Sequence, residues 1–232
     1  MRLRVVVVVA VVAALTLMTS ACSSDDSNAT NASTSQSLDS MSTTSPPPPS
    51  SSARSETASV LVDFPTPSSV DGWINVDDTV MGGVSASERS WLDLDGRGAL
   101  VFTGLLSTES NGGFASILGP SDRSIGQRAA GARSLRVSAV GDGRTYVLQL
   151  RAGPSGAERW IARFTPPTSR PRTDDGSGTI PIDTFTAVDR FLRPVVTDTP
   201  LDPSTIVQIG VYVLDGQIGE FRLTLEGIDA VS

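Results

Sequence analysis

Phe221-Arg222-Leu223-Thr224-Leu225-Glu226 places an apolar residue at every second position and a polar one between. A period of two sets one group of side chains on a buried sheet face and the other toward solvent or a second layer. Three further runs read the same way. Tyr146, Leu148 and Leu150 alternate with Val147, Gln149 and Arg151; Trp160, Ala162 and Phe164 alternate with Arg159, Ile161 and Arg163; Leu135, Val137 and Ala139 sit beside Arg136 and Ser138. Ile206 to Leu214 is apolar at nearly every position, as expected of a central strand covered on both sides. Gly141-Asp142-Gly143 lies between two alternating runs and predicts a hairpin loop. No long window carries a helical period. Short strands separated by Gly and Pro predict an all-β sandwich over residues 61–232.

The N-terminal part has a different character. Residues 1–21 hold Arg2 and Arg4, an apolar run from Val5 to Leu17, then Met18-Thr19-Ser20-Ala21 before Cys22. This is the layout of a secretory signal peptide. The run is shorter than the ~20 residues that span a bilayer, and the alternative is an uncleaved anchor. Cys22 is the only cysteine, so no intramolecular disulfide can form. Ser20-Ala21-Cys22 resembles a bacterial lipobox, although Thr19 stands where leucine is commoner; there the thiol receives a diacylglycerol and becomes the mature N-terminus. Lipid chains stabilise attachment by ~0.8 kcal/mol per buried methylene. The expectation is an exported lipoprotein, held by its lipid on the outer face of a bacterial cell membrane. Residues 22–60 are mostly Ser, Thr, Asn, Asp, Ala and Pro, with Pro46 to Pro49 in a row. They cannot bury enough surface to offset chain entropy, and they read as a disordered tether spanning roughly 35 Å.

All 18 basic residues are arginine, against 25 acidic ones. Formal charge is −7, and loss of Arg2 and Arg4 with the leader takes it to −9. Such a chain does not attract nucleic acid, whose affinity comes largely from phosphate neutralisation. The absence of histidine excludes Ser-His-Asp and Cys-His nucleophile machinery and every histidine metal site. The absence of lysine excludes Schiff-base chemistry. Gly141-Asp142-Gly143 lacks the third glycine and following helix of a nucleotide loop.

Two segments carry Gly-Gly pairs beside short polar residues: Trp73-Ile-Asn-Val-Asp-Asp-Thr-Val-Met-Gly-Gly-Val-Ser85 and Glu109-Ser-Asn-Gly-Gly-Phe-Ala-Ser116. They suit strand ends that fold into tight loops. Trp73, Asp77, Asp78, Val80, Met81, Gly82, Gly83 and Ser85, then Phe102-Thr-Gly104, Asn111 to Ser116 and Gly141 to Tyr146, form an ordered series. Asp63-Phe64 at the start, and Leu201 to Ile206, Ile209-Gly210 and Gly219 to Leu223 near the end, complete it as opening and closing strands. This series resembles the complex I intermediate-associated protein family, whose domain occurs in an assembly factor for NADH:ubiquinone oxidoreductase. The resemblance implies a galactose-binding-like jelly roll without catalysis. One departure is Ile180-Pro181, which lacks the tryptophan that often precedes this pair in the family.

Candidate site residues follow, each with two readings. Asp77 and Asp78 are short loop carboxylates that suit a structural calcium ion, or they cap backbone amides before Gly82-Gly83. Trp73 and Trp91 could stack on sugar rings, or, for Trp73, serve the fold; Trp160 reads as core, and Trp91 is the ring free of such constraints. Met81, Gly82, Gly83, Ser85, Asn111, Gly112, Gly113, Phe114 and Ser116 could line a recognition surface, or form a strand-entry turn with Phe114 plugged into the sandwich. The expected function is a non-catalytic binding domain for a protein partner in complex assembly at the envelope. The alternative is a carbohydrate-binding module for a glycan. A glycosidase using Asp77 and Glu109 comes third, since nothing fixes their separation.

Overall fold

The computed structural model describes residues 56–170 and 178–232. The expected leader, Cys22 and most of the expected tether lie outside the described residues. In chain order the first six strands are β1 (Ala58–Asp63), β2 (Ile74–Asp77), β3 (Ala86–Leu94), β4 (Arg97–Leu106), β5 (Ala115–Leu118) and β6 (Ser134–Val140). The next six are β7 (Tyr146–Ala152), β8 (Glu158–Phe164), β9 (Thr179–Pro181), β10 (Thr186–Val188), β11 (Gln208–Val213) and β12 (Gly219–Val231). Strand β1 starts at Ala58, ahead of the Leu61 start read from composition. The α-helix among the described residues is α1 (Ser124–Ala129). No helix there is long and apolar enough to cross a membrane.

The strands form two six-stranded antiparallel sheets. The first runs β3-β4-β12-β6-β9, with β1 added against β12. The second runs β10-β8-β7-β11-β5-β2. Strand β12 is the spine of the first: Gly219 to Leu225 pair with β4, Gly227 to Val231 pair with β1, and Thr224 to Val231 pair with β6. Strand β11 lies centrally in the second sheet, between β7 and β5.

The two-residue period decides which side chains meet. Leu100, Phe102, Leu135 and Leu223 of the first sheet, and Ile117, Leu148, Leu150 and Ile209 of the second, are fully buried between the layers. Phe102 meets Phe221 edge-on at 4.8 Å. Burying each such side chain stabilises by about 1.5–3 kcal/mol. The fold is a jelly-roll β-sandwich: the alternation predicts the sandwich, and the family resemblance implies its galactose-binding-like jelly roll.

Two local expectations are corrected. Gly141 to Gly143 do not make a hairpin: β6 belongs to the first sheet and β7 to the second, so this loop crosses between layers. Asp142 fixes the crossing by accepting hydrogen bonds from the Arg144 amide (3.1 Å), the Tyr146 hydroxyl (3.1 Å) and the Arg222 amide (2.9 Å). The tight hairpin is Asp95-Gly96 between β3 and β4, with φ of 55° and 87°, the double left-handed geometry of a type I′ turn. Leu201 to Ile206 is likewise no strand; it holds a short 3-10 turn, Pro203–Thr205, capped by Asp202 through the Ser204 amide (2.9 Å).

One open side of the sandwich is sealed by polar groups on edge strands. Ser87 of β3 donates its amide (2.8 Å) and hydroxyl (2.6 Å) to the Asp77 carboxylate of β2. Asn75 donates to Ser87 Oγ (2.8 Å), and Arg89 donates to Asn75 Oδ1 (3.1 Å) and to the Val70 carbonyl (3.1 Å). Side-chain hydrogen bonds thus join sheets whose backbones cannot pair.

Candidate functional site

The two Gly-Gly segments meet at the end of the sandwich where β2 leads into β3 and β4 into β5, and Asp78 is the knot. Its side chain is inaccessible to solvent. Oδ1 accepts from the Ser85 amide (2.9 Å); Oδ2 accepts from the Ser85 hydroxyl (2.5 Å), the Gly113 amide (2.6 Å) and, more distantly, the Phe114 amide (3.3 Å). Ser85 Oγ in turn accepts from the Ser107 amide (3.0 Å). Burial pushes the Asp78 carboxyl up, but these hydrogen bonds outweigh it and hold the group below its ordinary value.

The glycines follow from this knot. A Cβ on Gly83 would lie 2.3 Å from Asp78 Oδ1 and 2.8 Å from Gly112 Cα. One on Gly112 would lie 2.7 Å from Asp78 Oδ2. Gly82 and Gly113 instead adopt φ of 91° and 141°, which side chains disfavour. Asn111, at φ 62°, is exposed on the turn, and Met81 points outward at 55 % exposure. The signature therefore joins Asp78, Gly83, Ser85, Gly112 and Gly113 in one internal network.

The donor set does not fit calcium, which takes six to eight oxygen ligands. Asp78 is surrounded by N–H and O–H donors, and Asp77 is held by Ser87. Among the described residues no three acidic, histidine or cysteine side chains gather to hold a metal.

The tryptophans form no platform. Trp73 is buried 5.5 Å from the Phe64 ring, and Trp160 is buried. Trp91 is not free: it is half-buried against the core and donates Nε1–H to the Phe64 carbonyl at 2.9 Å. Ser116 is buried on β5 and donates to the Val76 carbonyl (2.5 Å). Phe114 is not inside the sandwich. It is half-buried with its ring 6.3 Å from that of Tyr212, on the outer face of the second sheet.

That face is the second candidate region. Positions facing away from the core are Tyr212 and Gln208 on β11, Val147, Gln149 and Arg151 on β7, and Arg159, Ile161 and Arg163 on β8. Val147, Ile161 and Val188 form a small apolar floor with Tyr212, Leu192 and Leu214 packed on it. The half-buried Tyr212 donates to Gln149 Oε1 (3.3 Å), and burial pushes its hydroxyl above the usual value, so it remains a donor at neutral pH. A third feature is apolar: Val80, Met81 and Val84 on the first Gly-Gly loop, Leu105 on β4 and Ile218 just ahead of β12 are all about half exposed or more.

The family model for complex I intermediate-associated protein 30 matches residues 62–225. The chain belongs to the complex I intermediate-associated protein 30 family. None of the curated proteins compared with it matches. Solved structures with the same fold include the family 11 carbohydrate-binding module of the cellulosomal cellulase Lic26A-Cel5E of Clostridium thermocellum, at 15 % identity and a TM-score of 0.52, over 75 % of this chain and 94 % of that one. A family 11 module of the same organism in complex with a β-1,3-1,4-mixed-linked tetrasaccharide matches with the same values. A solution structure of CtCBM11 matches at 14 % identity and a TM-score of 0.52, over 78 % and 98 %. In this family member, then, the diagnostic glycines and Asp78 build two loops into one unit. The outer-face residues Tyr212, Gln149, Arg151, Arg159 and Gln208 escaped sequence reasoning; the signal available was arginine at the off-core positions of two alternating runs.

Proposed function

We propose that this chain is a non-catalytic glycan-binding domain, exported and held at the outer face of a bacterial membrane through a lipid on Cys22. The observation that carries the proposal is the outer face of the second sheet. Tyr212 and Phe114, both half-buried, offer ring edge there beside Gln208 and arginine side chains, with the buried Gln149 holding the Tyr212 hydroxyl from beneath. A sugar presents apolar C–H faces rimmed by hydroxyl groups, and this strip offers partners to both. The shared fold with carbohydrate-binding modules supports the reading at the level of architecture. Asp77 and Asp78, engaged in hydrogen bonds, are given no chemical step.

Affinity electrophoresis and titration calorimetry against a panel of neutral and acidic polysaccharides test the proposal. At least one is expected to bind, and Tyr212→Ala to weaken it about tenfold. Flat responses across the panel would overturn it. Labelled palmitate is expected to enter the wild-type chain and not Cys22→Ala.

A second reading, docking of a protein partner in complex assembly, has its own observation in the exposed Val80, Met81 and Val84. It predicts a membrane partner that co-purifies with the wild type and is lost from Met81→Glu with the fold intact.

A further inference from the structure

Arg151 of β7 and Arg159 of β8 stand directly opposite each other in register, and the alternation of both strands turns them to the same outer face. Like charges opposite one another across a ladder destabilise it. Arg163 on the same strand shows the satisfied alternative: it holds the Asp215 carboxylate through two hydrogen bonds of 2.8 and 3.0 Å. Among the described residues, no carboxylate lies within 4.0 Å of a nitrogen of Arg151 or Arg159. Arg151 directs Nε–H to the Gly156 carbonyl (2.9 Å), and Arg159 gives one N–H to the Ala157 carbonyl (3.2 Å). Each guanidinium has five N–H donors, so most remain for another acceptor. Gln208 lies opposite Arg151 on its other side, completing a row of Gln208, Arg151 and Arg159. Both arginines are half-buried, where salt and water screen charge less than at an open surface. A chain of net charge −7 has acids enough to neutralise two cations, yet the described residues bring none to this row.

We propose that Arg151 and Arg159 together grip an oxyanion of an acidic glycan, a uronate carboxylate or a sulfate ester, with Tyr212 supporting the neighbouring sugar ring. The proposal rests on the glycan-binding reading and adds the charge class of the ligand. The planar guanidinium fork matches such oxyanions in a bidentate manner, and an anion between the arginines offsets the repulsion between the two like charges.

The test titrates the full chain with polygalacturonate, a sulfated galactan, a neutral mixed-linkage β-glucan and a single-stranded polynucleotide, at low and high salt. One of the two acidic glycans is expected to bind, more weakly as salt rises. Arg159→Gln is expected to lower that affinity tenfold or more, since charged hydrogen bonds are lost. Its melting temperature is expected to equal or exceed the wild type's without ligand, because the like-charge pair is gone; Arg151→Gln gives a second variant for the affinity arm. Neutral glucan bound best, with Arg159→Gln indifferent, overturns this inference and leaves the glycan-binding reading standing. No polysaccharide bound overturns both. Polynucleotide bound as tightly as the acidic glycan overturns the inference by reducing the row to general charge attraction.

Discussion

The Asp78 knot and the Arg151–Arg159 row are both built from charged side chains, yet they are finished to different degrees. At the knot every carboxylate oxygen meets donors from the chain itself, and the surrounding glycines leave no room for anything else. At the row two cations face each other, and the described residues supply no acid. The difference teaches that a motif can mark a family because it builds the fold. An interaction complete within the chain offers a partner little, whereas one left incomplete has affinity to give.

The comparison breaks most visibly at Asp78. Asp78→Ala leaves the Ser85 and Gly113 amides without their acceptor, although the Ser85 hydroxyl keeps the Ser107 carbonyl at 3.1 Å, and is expected to reduce unfolding free energy by about 2–5 kcal/mol in urea denaturation. Gly83→Ala forces a methyl onto Asp78 Oδ1 and is expected to cost about 1–3 kcal/mol by the same measurement. A pH series sharpens the contrast. The folded-state pKa of Asp78 is depressed, so its stabilisation is present above the unfolded value near 4 and is lost as pH falls through the folded value. The stability difference between wild type and Asp78→Asn is therefore expected to be largest at neutral pH and to shrink on acidification below about pH 4. Smallest is the effect at the other region: Arg159→Gln is expected to raise stability by roughly 0.2–1 kcal/mol, the scale of a like-charge cross-strand pair. A loss of stability there would mean that the row is as self-sufficient as the knot.

The strands were legible because alternation is local. Leu135 to Ala139, Tyr146 to Leu150, Trp160 to Phe164 and Phe221 to Leu225 each reveal which side chains enter the core. Sheet membership is not local. The runs flanking Gly141 to Gly143 have the same period whether they pair with each other or part into different layers, and here Asp142, held from Arg222 far along the chain, marks the parting. Trp91 lies on an edge strand with no clean period, so its burial depends on Phe64, which the sequence does not bring near it. The importance of Asp78 over Asp77 was equally hidden, since the two differ only in which strand end each faces. The arginine row depends on cross-strand register, and single runs carry no register.

Strand β1, through which the chain enters the domain, lies antiparallel to the last part of β12, and Ser232 closes the pair by donating to the Thr57 carbonyl (3.2 Å). A pull on residue 56 directed along β1 loads that ladder in shear, so its rungs resist together rather than peeling one by one. Resistance to such a pull is set by the rate of forced unfolding rather than by equilibrium stability. A domain that grips a polymer on one sheet while being restrained through the other would carry tension across its core, and β12 is the beam that spreads it.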